Sequence, residues 1–187
     1  MKNIAILLGS FLTLFLISCE GDPGPPGRDG LPGPEGPQGP AGSTGRVIDI
    51  TGDFTADGDY SIFYEFQQDD IEVLETDVVL VYLSFSQVED NNGEPVEVWR
   101  LLPQTRILDQ GLLQYNYDHT FFDVNIFLEA DFDLATLPAG DTENQFFRIA
   151  ILPADFVQTA KLDISNIASV MNSLELSEKD VRHINVN

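Results

Sequence analysis

The sequence predicts a mainly all-β domain, an antiparallel β-sandwich or jelly roll with one short helix in its C-terminal region, behind an extended N-terminal segment. Three observations lead there. Apolar and polar residues alternate with period two through much of the chain beyond Arg46, and clusters of Gly, Asn, Asp and Pro separate those runs. Glycine stands at every third position from Gly21 to Gly45.

The strands follow in order. Val47–Ile50 is the first apolar run. In Tyr60–Phe66, the side chains of Ile62, Tyr64 and Phe66 share one face, opposite Ser61 and Glu65. Val78–Leu83 is continuously apolar, as in a strand buried on both faces. Val96–Leu102 and Leu112–Tyr117 come next. In Phe121–Leu128, Phe122, Val124, Ile126 and Leu128 alternate with Asp123 and Asn125, and Phe147, Ile149 and Ile151 alternate around Arg148. Turn signals at Asp57-Gly58, Asn91-Asn92-Gly93, Asp109-Gln110-Gly111 and Pro138-Ala139-Gly140 divide these runs. Ile164, Ile167, Ala168 and Met171 recur at helical spacing, so a helix is expected over Asp163–Leu174, with Asp163 as N-cap, covering an open end or edge of the sandwich. Val181–Val186 is expected to return as a last strand. Residues 46–187 make one domain of ordinary size.

Composition removes several functions. Of 187 residues, 43% are apolar, too many for a wholly disordered chain. Asp and Glu number 31 against 9 Lys plus Arg, and a net charge of −22 argues against a nucleic-acid-binding surface, which must be basic. The single Cys rules out internal disulfides and a Cys-based structural zinc site. There is no G-x-S-x-G, no phosphate-cradling glycine loop and no H-E-x-x-H. His119 and His183 stand isolated in sequence and are read as structural or exposed. A non-enzyme without catalytic residues is expected.

Acidic clusters at Asp57-Gly58-Asp59, Asp69-Asp70, Glu89–Glu94 and Asp131-Phe132-Asp133 put oxygen ligands in expected loops, but none follows the twelve-residue EF-hand pattern. They are read first as solubilising loops and second as a structural calcium site, and no metal ligand is assigned. Trp99, Tyr115, Tyr117, Phe121 and Phe127 are read mainly as core; an outward sugar-stacking or protein-docking patch is the alternative. Phe121 and Phe127 lie on the phase opposite Val124 and Ile126, so they are the candidates for a second buried surface such as a subunit interface.

The N-terminus reads as a targeting signal. Met1-Lys2-Asn3 precedes an apolar run from Ile4 to Ile17, too short for a spanning helix and right for a signal core. It ends in Leu16-Ile17-Ser18-Cys19, which resembles the lipobox of bacterial lipoproteins. The resemblance implies a signal peptide over 1–18, cleavage before Cys19, and lipid on the Cys19 thiol. Residues 19–20 then start the anchored chain. Two or more acyl chains anchor stably where one is marginal, since each buried methylene contributes about 0.8 kcal/mol. Glu20, Gly21 and Asp22 resemble a surface-export signal of Gram-negative lipoproteins, so the outer membrane and cell surface are expected, with a periplasm-facing anchor as the alternative.

The glycine register is the strongest signal. Gly21, Gly24, Gly27, Gly30, Gly33, Gly36, Gly39, Gly42 and Gly45 frame eight triplets rich in proline. Nine hits in phase at a background of about 7% have chance odds of about 10⁻¹⁰. Three polyproline-II strands wound on one axis leave room there only for hydrogen, which is the demand that glycine meets. Residues 21–45 therefore read as an extended collagen-like stalk of roughly 75 Å, at ~3.1 Å per residue. The other reading of such composition is a Pro/Gly linker that stays single.

The stalk resembles the collagen-like region of bacterial collagen-repeat proteins. The stretches Val98–Gln104, Leu113–Asp118 and Ile151–Phe156 are similar to the C-terminal domain of bacterial collagen-like surface lipoproteins. The resemblance covers essentially the whole chain and implies a homotrimer, held to the membrane by lipid, with a structural or adhesive role. A surface glycan or protein is the expected partner class, and a carbohydrate- or calcium-binding module is the alternative. The resemblance brings no functional residue of the head with it.

Overall fold

The computed structural model of the chain describes residues 45–159 and 162–186. The signal peptide expected over 1–18, Cys19 and the glycines from Gly21 to Gly42 lie outside the described residues.

The head is a sandwich of two sheets. Its strands are β1 (Arg46–Gly52), β2 (Ser61–Glu65), β3 (Val78–Glu89), β4 (Pro95–Leu101), β5 (Gln104–Leu108), β6 (Gly111–His119), β7 (Asp123–Ala130), β8 (Gln145–Leu152) and β9 (Arg182–Val186). Among the described residues three short α-helices accompany them, α1 (Ala139–Thr142), α2 (Ala154–Thr159) and α3 (Ile167–Ser173). One sheet has the order β4-β3-β8-β1-β9 and the other β2-β7-β6-β5. Neighbours pair antiparallel except β1 and β9, which run parallel. No hairpin joins those two strands, so nothing forces the antiparallel direction on them.

Alternation explains the core. Ile48, Ile50, Val79, Val81, Leu83, Phe147, Ile149 and Ile151 face inward from the larger sheet. They meet Ile62, Tyr64, Leu113, Tyr115, Val124, Ile126 and Leu128 of the smaller one. Each such side chain contributes about 1.5–3 kcal/mol on leaving water. The opposite phase of the larger sheet is also covered. Val47, Leu80, Tyr82, Ala150 and Leu152 pack against Ile167, Val170 and Met171 of α3. This third layer is why Val78–Leu83 has no polar phase.

The helix differs from expectation in place and in start. It lies on a sheet face rather than on an open end or edge of the sandwich, because its stripe has an apolar face to cover. Its N-cap is Asn166, whose side chain accepts from the Ala168 and Ser169 N–H groups at 3.0 and 3.3 Å. Asp163 instead closes the preceding turn, accepting from the Ser165 N–H at 3.0 Å and hydroxyl at 2.6 Å. Val170 takes the buried place that the spacing offered to Ala168, which is exposed.

Two further differences concern strands. β5 has no counterpart among the expected runs. The seventh strand begins at Asp123, not Phe121, because Thr120 forms a turn in which its hydroxyl accepts from the Phe122 N–H at 3.0 Å and donates to Asp123 at 2.9 Å. That turn leaves Phe122 exposed and Phe121 packed on the core, the reverse of their expected phases. Phe127 stays half-buried on the outer face of the smaller sheet, opposite Ser61 and Asn116.

Candidate functional site

The outer face of the larger sheet carries a buried ion-pair cluster centred on Arg148. Strand register lines up Leu101, Tyr82, Arg148, Asp49 and His183 across all five strands. Arg148 is central and only 3% exposed. Its Nε and Nη2 donate to the two Asp49 oxygens at 2.7 and 2.9 Å. Its Nη1 and Nη2 donate to the Glu178 carboxylate at 2.8 and 2.6 Å, and Nη1 also lies 3.2 Å from the Met171 sulfur. The Trp99 ring covers the guanidinium, with its centroid 4.6 Å from the central carbon.

Burial works against the Arg148 charge, but the hydrogen bonds and charges of Asp49 and Glu178 outweigh it and hold the guanidinium well above its usual range. The same contact holds the Glu178 carboxyl below its ordinary value. The cluster thus joins β8, β1 and the segment after α3, clamping that segment onto the sheet. Tyr82 adds a second tie, donating to the Ile164 carbonyl at 2.6 Å.

Aromatic rings continue from it. Trp99 lies 5.0 Å from Phe146, and Phe146 lies 5.0 Å from His183. His183 is 3.3 Å from the Thr51 hydroxyl and 3.9 Å from Asp49, while His119 stacks beside Tyr117 on the exposed surface. The five singled-out aromatics do not form one patch. Tyr115 is fully buried, Tyr117 and Phe121 pack on the core, Trp99 caps Arg148, and Phe127 is on the opposite outer face.

The acidic loops use their carboxylates locally. Asp90 accepts from the Asn92 and Glu94 N–H groups at 2.7 and 2.9 Å within the β3–β4 turn. Asp131 accepts from the Leu112 N–H at 2.8 Å, and Asp133 from the Ala135 N–H at 3.0 Å. Asp69 accepts from the Tyr64 hydroxyl at 2.9 Å and pairs with Arg182 at 2.5 Å. Among the described residues, no three His, Cys, Asp or Glu side chains converge as a metal-holding group, and no helix is long and apolar enough to cross a membrane.

Of the glycine series, Gly45 alone is described, and it packs against the Leu174 side chain directly before β1. Sequence reasoning missed the Arg148 cluster, because Asp49 lies 99 residues away and only the strand register brings them together. Comparisons with protein-family models, with curated proteins and with solved structures find no match for this chain.

Proposed function

We propose that this chain is a non-enzymatic, lipid-anchored cell-envelope protein, a collagen-like surface lipoprotein that holds a β-sandwich head away from the outer membrane on a trimeric stalk. Its role is structural or adhesive. The observation that carries this reading is the run of nine glycines in register from Gly21 to Gly45, starting two residues after the chain's one cysteine. The start of the head supports it, since β1 begins at Arg46 with no intervening spacer.

The test is metabolic labelling with a clickable fatty acid followed by cross-linking in intact cells. Label on the wild type and not on Cys19→Ala, together with a three-chain cross-linked species, is the expected result. An unlabelled wild type, or a chain that cross-links to nothing of its own kind, would overturn it.

A further inference from the structure

We infer that the cleft at the open edge of the sandwich binds a carboxylated sugar, specifically one acidic ring at the end of an otherwise neutral glycan. The inference goes beyond the display reading and does not depend on the anchor or the stalk. β4 and β5 are the edge strands of the two sheets, consecutive through Leu102-Pro103. Leu102 points into the inner core and Leu101 packs on the outer cluster, so Arg100 has the inward phase. In β5, Leu108 packs on the inner core while Ile107 is 86% exposed, so Arg106 is also inward. Two guanidiniums therefore stand where a closed sandwich would place apolar side chains.

Both lie over Phe85, with their central carbons 5.3 and 5.8 Å from its ring centroid. Phe85 is itself backed edge-on by buried Tyr115 at 5.6 Å. A bulge in β3 shapes this floor. Ser84 pairs with Trp99 and Gln87 with Glu97, so β3 has one residue more than β4 between them. Ser84 and Gln87 thereby both donate to Glu97 and hold its carboxylate against its own hairpin. The resulting cleft of about 720 Å³ also includes Asn144 and Phe146 in its walls, within the size range of small-ligand sites.

The polar groups are unequally engaged. Arg106 is paired with buried Asp141, whose carbonyl accepts from the Tyr115 hydroxyl at 3.0 Å. Among the described residues, Arg100 has no carboxylate partner, and the Asn144 amide and Ser86 hydroxyl donate no hydrogen bond. Asn144 is held in place by its N–H, which donates to Asp53 at 2.6 Å. One spare guanidinium offers a planar fork to one carboxylate. The amide and hydroxyl suit ring hydroxyls, and the Phe85 ring suits the C–H face of a sugar. A net charge of −22 repels polyanions, whereas a single carboxylate feels mainly the charges within a screening length of about 8 Å, among them the Arg100 guanidinium in the cleft wall.

The full chain in detergent, titrated with methyl glucuronide and followed by NMR, tests this. Saturable binding on the order of millimolar is expected, with acetate and methyl glucoside each at least about tenfold weaker. Arg100→Gln should weaken the glucuronide about tenfold. Asn144→Gly, which keeps the left-handed backbone there, should weaken it less, and Arg46→Gln, outside the cleft, should leave it unchanged. Equal binding of acetate would reduce the cleft to a bare carboxylate site, and equal binding of the glucoside would remove the charge from recognition. No binding, or an Arg100→Gln variant that binds normally but self-associates, would mean that the inward arginines only guard the sheet edges. Each of those results overturns the inference.

Discussion

Asp49 and Arg148, 99 residues apart in the chain, are cross-strand partners that share two hydrogen bonds of 2.7 and 2.9 Å on the outer face of the larger sheet. Both are almost fully buried. Removing one member of such a pair leaves the other's charge in a dry site, which costs about 3–5 kcal/mol. Arg148→Met is expected to lower stability by about that much. Arg148→Met with Asp49→Leu should recover most of it, since Trp99 and Met171 already supply apolar walls. Urea denaturation of the three proteins decides the matter; a single variant within about 1 kcal/mol of the wild type would remove the cluster from the list of what holds the head together.

Glu178 sets an acid limb. Its carboxyl is held below the ordinary value of 4.5 by its hydrogen bonds to Arg148. A group with a depressed folded value contributes stability that is present above the unfolded value and is lost as pH falls through the folded one. Glu178→Gln should therefore flatten the decline in urea midpoint below about pH 5. Because the Glu178 side chain is 72% exposed, the effect is small and should shrink further in high salt.

An alkaline limb comes from tyrosine. Burial raises Tyr64, Tyr82, Tyr115 and Tyr117 above the ordinary value of 10, and Asp69 adds to the rise at Tyr64. Raised folded values favour the protonated form, so this stability is complete below pH 10 and disappears as pH climbs through the folded values. Phenolate absorbance from these four should appear together with the loss of near-ultraviolet dichroism. Ionisation of all four in a head that keeps its fold would contradict the burial described for them.

The helix cap gives a discriminating pair. Asn166→Ala removes the acceptor of two helix N–H groups and should cost about 1 kcal/mol. Asp163→Ala loosens only the turn before it and should cost less. Equal losses would mean that turn and helix form as one unit.

For the proposed stalk, Gly33→Val should lower a cooperative dichroism melt of the full chain without moving the unfolding of the head. A melt that ignores the substitution would favour a single-stranded linker.

Much of the sandwich was legible because its inner face is apolar and its turns carry Gly, Asn and Asp. What was not legible had a physical reason in each case. β5 reads backwards: Ile107 points to water while Gln104 and Arg106 point inward, because that end of the sandwich is open rather than packed. Arg148 looked like the solvent phase of an alternating strand, and only a covering helix and a distant Asp49 make it a buried position. Asp163 and Asn166 are both good caps, and tertiary placement of Ile167, Val170 and Met171 chose between them. The spare guanidinium of Arg100 had no signal in the sequence, since its isolation depends on where 27 carboxylates of the head do not reach.

The position of β1 has a mechanical consequence. It is bonded along its length to β8 on one side and β9 on the other, and it is the strand into which Gly45 leads. A pull applied at Arg46 along the strand direction would shear both ladders as sets instead of unzipping them bond by bond. The load passes sideways through β8 and β3 toward β4, which makes the larger sheet the tensile member of the head.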